Sequence, residues 1–132
     1  MPSKRLIVVY DEHNLFTNTF AQLLREEYDI ISVADDEDGF LENVRQFQPD
    51  VVIKAFTGSS RGGLRVLRDI QVLSPSSRTL VITACEDASV AAEAFRLGAS
   101  AYVLQKCPAS ELLRTVRAAQ THSRLGAAAP SL

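Results

Sequence analysis

The chain has 132 residues, 46% hydrophobic and 23% charged, with a net charge of −2. That length suits one domain that buries a core without help from a disulfide or a metal. The slight negative charge offers no general attraction for nucleic acid or an anionic membrane, so any DNA binding would belong to a separate domain outside this chain. No apolar run approaches the roughly 18 residues of a membrane helix. Met1–Arg5 leads directly into a strand too short for a signal-peptide core, and a cytoplasmic protein without membrane contact is expected. Cys85 and Cys107 fall into no metal-binding or CxxC spacing and are expected as free thiols. They follow neighbouring strands on one edge, but a redox pair there would go against the rarity of cytosolic disulfides.

Leu6–Tyr10 is a continuous apolar run, the mark of a strand buried on both faces. Asp11-Glu12-His13-Asn14 ends it. Phe16, Phe20, Leu23 and Leu24 recur at helical spacing and predict a helix from about Asn14 to Glu26, with Asn14 as its cap. Ile30–Ala34 is the second strand, and Asp35–Gly39 an acidic turn. Phe40, Val44 and Phe47 mark a second helix, which Pro49 terminates. Val51–Phe56 is the third strand and Thr57–Gly63 its Gly/Ser-rich loop. Leu64, Leu67 and Ile70 face inward on a third helix that ends at Ser74–Ser77.

Leu80–Ala84 is the fourth strand. Val90, Ala91, Ala94 and Phe95 build a fourth helix, small on its buried side, with Gly98 near its end. Ala101–Leu104 is the fifth strand. After Pro108, Leu112, Leu113 and Val116 mark a fifth helix to about Thr121. One domain is expected over residues 1–123, followed by a tail or linker over 124–132. Five strand–helix units in strict alternation predict an α/β fold, a doubly wound parallel sheet between two helical layers.

In such sheets a ligand crevice lies at the carboxyl ends of the strands. Asp11-Glu12, Ala55, Thr83 and Gln105-Lys106 converge there, and the central strand delivers only a methyl group. Lys54 precedes it, a charge inside a strand that should be buried. It is either an internal cation balancing Asp11 or Glu12, or a lysine whose stem carries its head to solvent. Asp50 lies about 16 Å from the crevice at roughly 3.3 Å per residue, too far to take part. Thr57 and Ser59 are nearer but have no evident base beside them. The Thr57–Gly63 loop has backbone N–H groups that suit an anion, which the acidic pair opposes. Arg61, Arg65 and Arg68 form a charged stripe read as a solvated face. His13 and His122 read as exposed turn and tail residues.

Several stretches are shared with one family: Asp11–Phe16, Gln48-Pro49-Asp50-Val51-Val52, Gly63-Leu64, Leu80–Ala84, Leu97–Tyr102, and Pro108 with Glu111-Leu112-Leu113. In their order and spacing they resemble the receiver domain of bacterial response regulators, over about residues 5 to 120. The likeness is greatest to the NarL/FixJ-type receivers that precede a helix-turn-helix DNA-binding domain. The resemblance implies a CheY-like, flavodoxin-like (βα)5 sandwich with strand order 2-1-3-4-5. It matches Asp11 and Glu12 to a Mg²⁺-binding pair, Thr83 to a hydroxyl that contacts the phosphoryl group, and Tyr102 to an aromatic switch. It puts Ala55 where the family has its phosphoacceptor aspartate and Gln105 where it has a lysine, with Lys106 one residue late.

Alanine has no nucleophile and supplies no metal ligand. Glutamine donates a hydrogen bond without charge. Asp11 and Glu12 alone read more simply as a solvated acidic crevice, so no catalytic residue and no cofactor is expected. The resemblance therefore implies a non-enzymatic, phosphorylation-independent receiver. It would act as an interaction or dimerisation module of a transcriptional regulator, through its fourth helix, fifth strand and fifth helix. Glu86, Asp87, Arg96, Arg114 and Arg117 are candidate charges of that face, and Ala91, Ala92 and Ala94 would permit close packing. The alternative is a switch that binds a small or anionic ligand in the vacated crevice. Ala55 argues against a conventional phosphorylated receiver. A flavodoxin-like enzyme is disfavoured because Asp11-Glu12 would repel a flavin phosphate. A Rossmann enzyme would need a G-x-G-x-x-G after the first strand, which is absent.

Overall fold

Strands that are apolar on both faces need cover on both, and helices returning between parallel strands provide it. The computed structural model describes residues 5–11, 21–56, 64–84 and 86–121. Its five strands are β1 (Arg5–Asp11), β2 (Tyr28–Ala34), β3 (Val51–Phe56), β4 (Arg78–Thr83) and β5 (Ala101–Leu104). They form one parallel sheet in the order β2-β1-β3-β4-β5. The helices are α1 (Ala21–Leu24), α2 (Glu37–Phe47), α3 (Val66–Leu73), α4 (Ala88–Arg96) and α5 (Ala109–Thr121). The expected doubly wound sandwich and its strand order are therefore observed.

Alternation along the strands divides the core in two. On one face Val8, Tyr10, Val52, Val81 and Tyr102 pack under α2, α3 and α4, against Phe40, Val44, Leu67, Ile70, Val90 and Ala94. On the other, Ile7, Val9, Ile53, Ala55, Ile82 and Val103 pack with Leu24 of α1 and with Leu112 and Val116 of α5. Phe40 is fully buried, which is worth about 1.5–3 kcal/mol relative to exposure.

Element limits differ from the sequence expectation in instructive places. Asp35–Gly39 is not simply a turn: the Asp36 carboxylate accepts the Gly39 N–H and caps α2, whose first turn holds Glu37 and Asp38. Carboxylates there complement the helix dipole. The helix stops at Gln48, left-handed at φ 45°, before Pro49 is reached. β1 extends through Asp11, β2 begins two residues early at Tyr28, and Leu64 lies in a 3₁₀ turn ahead of α3. β4 begins at Arg78 and leaves Ala84 exposed beyond it. The expected start of the first helix at Asn14 and the tail over 124–132 lie outside the described residues, and Arg25–Glu27 form a hydrogen-bonded turn rather than helix.

The amino edge of the sheet is tied by polar groups. Asp50 accepts the Leu6 N–H at 2.7 Å. Buried Ser77 donates to the Pro49 carbonyl and is hydrogen-bonded to Ser74 at 2.6 Å. Asp50 is thus a fastener of β1 at the edge opposite the crevice.

Candidate functional site

Register fixes what meets at the carboxyl edge. One row across the sheet runs Ala34, Tyr10, Lys54, Val81, Tyr102. The next runs Asp11, Ala55, Ile82, Val103, and beyond it Phe56, Thr83 and Leu104 are in line. Side chains of successive rows leave the sheet on opposite faces. Ala55 therefore faces Asp11 directly across β1 and β3, one strand spacing away. Both are buried.

Thr83 is fully buried and Tyr102 is 5% exposed, so the aromatic ring lies inward, against the α4 side of the core. Gln105 follows β5, with its N–H donated to the Thr83 carbonyl at 2.7 Å. Lys106 has a carboxylate partner: its Nζ donates to Glu86 Oε2 at 2.6 Å across the mouths of β4 and β5. That lysine is exposed. Ala84, Leu104, Gln105 and Lys106 line a hollow of about 200 Å³ at this end. Glu12 lies outside the described residues, as do Thr57–Gly63, His13, His122 and Cys85.

Lys54 does not carry its head to solvent; it is 3% exposed. Its Nζ lies 4.1 Å from the centroid of the Tyr10 ring and 3.5 Å from the Ala55 carbonyl oxygen. The Tyr10 ring stacks on Phe40 at 4.8 Å. The ammonium is thus a cation held on an aromatic face, reaching along β3 toward the crevice edge. Sequence periodicity flagged this residue as anomalous, but only the register with Tyr10 locates its head.

The residues at the edge fit a divalent cation poorly. A hard cation takes six or more oxygen ligands. Ala55 offers no side-chain oxygen opposite Asp11, and a buried ammonium reaches the Ala55 carbonyl. Among the described residues no group of three His, Cys, Asp or Glu side chains is placed to hold a metal.

The expected interaction face is only partly as its charges suggested. Ala91 and Ala94 are buried against the core while Ala92 is exposed. Asp87 caps α4 by accepting the Ser89 N–H at 2.8 Å. Arg96 pairs with Glu93, and Arg114 with Glu111. Arg117 instead pairs with Glu27, which follows α1. Arg65 and Arg68 of the expected stripe line a groove with Asp69, Glu93 and Arg96. Burial, and then the nearby Glu111 carboxylate, push the Cys107 thiol up from its ordinary value, which disfavours the reactive thiolate.

Residues 7–117 match the response regulator receiver domain family. The chain is 31% identical over 117 residues to the transcriptional regulatory protein DegU of Brevibacillus brevis, covering 87% of this chain and 50% of that protein. It is 29% identical to the transcriptional regulatory protein LnrK of Bacillus subtilis, over 83% of this chain and 51% of that protein. It thus spans about half the length of these curated relatives. A LuxR-family two-component response regulator from Aurantimonas sp. SI85-9A1 superimposes with a TM-score of 0.81 at 26% identity, covering 93% of this chain and 89% of that one. The fold is also that of a CheY-like receiver domain protein from Methanospirillum hungatei JF-1, with a TM-score of 0.77 at 17% identity, over 90% and 95% of the two chains. Matched over most of its length by both sequence and fold, the chain belongs to the response regulator receiver domain family.

Proposed function

We propose that this receiver works without phosphorylation, as an interaction and dimerisation module of a transcriptional regulator. The observation that carries the reading is Ala55. It lies one residue before the end of the central strand, directly opposite Asp11, where the family resemblance puts the aspartate that accepts the phosphoryl group. A methyl group cannot attack phosphorus. Gln105, at the expected lysine position, brings no charge to phosphoryl oxygens, which need it during transfer. Asp50 is engaged at the opposite edge with the Leu6 N–H, so it is no substitute acceptor. The signal would then pass by binding, through α4, β5 and α5, with Thr83 and Tyr102 as the remaining switch residues. DNA contact would come from a separate domain, in keeping with relatives about twice as long that are named transcriptional regulators.

Incubation with acetyl phosphate and Mg²⁺ followed by intact-mass measurement tests this. An unchanged mass is expected; a stoichiometric phosphoryl adduct would overturn the reading. A second reading, a small ligand near the vacated position, is favoured by the hollow at Ala84, Leu104, Gln105 and Lys106. Thermal-shift measurements against anionic metabolites and nucleotides separate the two, since the interaction module alone shows no ligand-dependent stabilisation.

A further inference from the structure

Two charged features of the surface lack a partner of opposite sign. The first is the acidic run Asp35-Asp36-Glu37-Asp38, exposed throughout, where β2 gives way to α2. Asp36 serves as the helix cap, and among the described residues none of the four is in an ion pair. The second is a groove of about 340 Å³ between α3 and α4, lined by Arg65, Arg68 and Asp69 on one side and by Glu93, Arg96 and Leu97 on the other. Glu93 is held by Arg96. Arg65 and Arg68 are exposed and have no carboxylate partner among the described residues. Its guanidiniums outnumber its carboxylates, so the groove is positive on a chain whose net charge is −2. A lining so rich in charge suits an acidic protein segment better than a drug-sized metabolite, whose sites are mostly apolar.

Topology sets the two features on one face. The helices α2, α3 and α4 cover the same side of the sheet. They join β2 to β3, β3 to β4 and β4 to β5, so α3 stands between the other two. The acidic run opens α2 and the groove lies beyond α3, on its α4 side. A two-fold axis running along α3 would lay α2 of one copy over α4 of the other, and the reverse. The run of each copy then meets the groove of its partner, and the contact is made twice, as an isologous interface requires. We propose that two copies of this chain associate face to face in this way, with the Asp35–Asp38 run of each seated at the other's Arg65–Arg68–Arg96 groove. The planar fork of arginine suits the contact, since it takes a carboxylate through two N–H donors. Exposed ion pairs are individually weak, so the dimer is transient and depends on salt. The contact uses the α3 side of α4. It therefore goes beyond the α4–β5–α5 contact proposed above and does not rest on it.

Sedimentation equilibrium of the full chain tests this, with the swapped variants Arg65→Glu/Arg68→Glu and Asp35→Lys/Asp38→Lys and the chain carrying all four changes. In about 50 mM NaCl the unaltered chain is expected to self-associate with a Kd on the order of 0.1–1 mM. Raising the salt to about 500 mM should weaken it at least about tenfold. No association up to about 1 mM, or association indifferent to salt, overturns the proposal. Each swap alone should weaken self-association at least about tenfold by setting like charges against each other. The fourfold variant keeps the net charge of −2 and restores complementarity with the signs exchanged, so its association should return. A fourfold variant as weak as either swap overturns the proposal. Association that survives both swaps belongs to another face, such as α4–β5–α5, and overturns it as well. Polyglutamate, titrated by fluorescence anisotropy, covers the remaining occupant. If it binds the unaltered chain but not Arg65→Glu/Arg68→Glu while no self-association is seen, the groove takes an acidic partner instead of a second copy, and the proposal falls.

Discussion

Gly98 joins α4 to β5 with φ +119°, a backbone conformation that side chains rarely adopt. Replacing it with alanine imposes two separable costs. A non-glycine residue held in such a sparsely populated region costs on the order of 1–3 kcal/mol. The new Cβ would also lie 2.6 Å from Gln71 Cγ and 2.9 Å from Gln71 Cδ. That side chain is flexible and swings away, but it then gives up the hydrogen bond from Nε2 to the Gly98 carbonyl at 3.3 Å, worth about 0.5–1.5 kcal/mol. The restricted unfolded chain returns about 0.4–1 kcal/mol. The net expectation for Gly98→Ala is a loss of about 2–3 kcal/mol, or a Tm lower by roughly 10 °C for a domain of this size. Urea unfolding followed by far-UV circular dichroism measures it. In a Gln71→Ala background the steric part is gone and the backbone part remains, so the same glycine substitution should cost about 1 kcal/mol less. A loss under about 0.5 kcal/mol, or an identical loss in both backgrounds, would refute the assignment of strain and contact.

Alkaline pH should destabilise the domain in two steps. Burial and the neighbouring Glu111 raise the Cys107 thiol from 9.0, and burial and the neighbouring Glu27 raise the Tyr28 hydroxyl from 10.0. For a group raised on folding, the stabilisation is complete below its unfolded value and is lost as pH rises through the folded value. Urea midpoints should therefore hold near neutrality and fall from about pH 9 upward, with Cys107→Ala removing the earlier part of the fall; a flat profile through pH 10 would contradict this. Lys106→Ala should change stability by no more than about 0.5 kcal/mol, because its bond to Glu86 joins two side chains that are 71% and 61% exposed. A loss above about 1.5 kcal/mol in urea would mean that Lys106 has a structural partner other than Glu86.

The sheet was legible because β3 and β5 are short apolar runs bounded by polar or turn residues, and their limits at Val51–Phe56 and Ala101–Leu104 agree with the observed strands. The start of α2 was misread for a local reason. Asp35–Gly39 is dense in turn-forming residue types, yet the same acids suit a cap at Asp36 and a first turn at Glu37 and Asp38. Long-range pairings were beyond the reach of pattern. Arg117 shares its helix with Arg114, but the partner that orients it is Glu27, 90 residues away. Lys54 is the sharper case. Its oddness was plain from the apolar run around it, while the position of its ammonium depends on which strand lies beside β3 and which residue of that strand is in line. Once Tyr10 is in line, the ammonium lies over its ring, 4.1 Å from the centroid, and reaches the Ala55 carbonyl.

The alanine at position 55 bears on how such a receiver would be regulated. A conformational equilibrium responds to a ligand only as far as the ligand binds its two states unequally. A phosphoryl group achieves this by adding charge at the end of β3. With alanine at position 55 no charge would be added at this edge, and the inward position of Tyr102 would have no local reason to change. The difference in affinity must then come from a surface that a partner touches. On the proposed α4–β5–α5 face, the exposed Lys106–Glu86 bridge and the exposed Arg114 are accessible without disturbing the core, while Ala91 and Ala94 anchor α4 from beneath. Regulation would follow the concentration of the partner rather than the activity of a kinase, and the midpoint of the response would move with the partner's Kd.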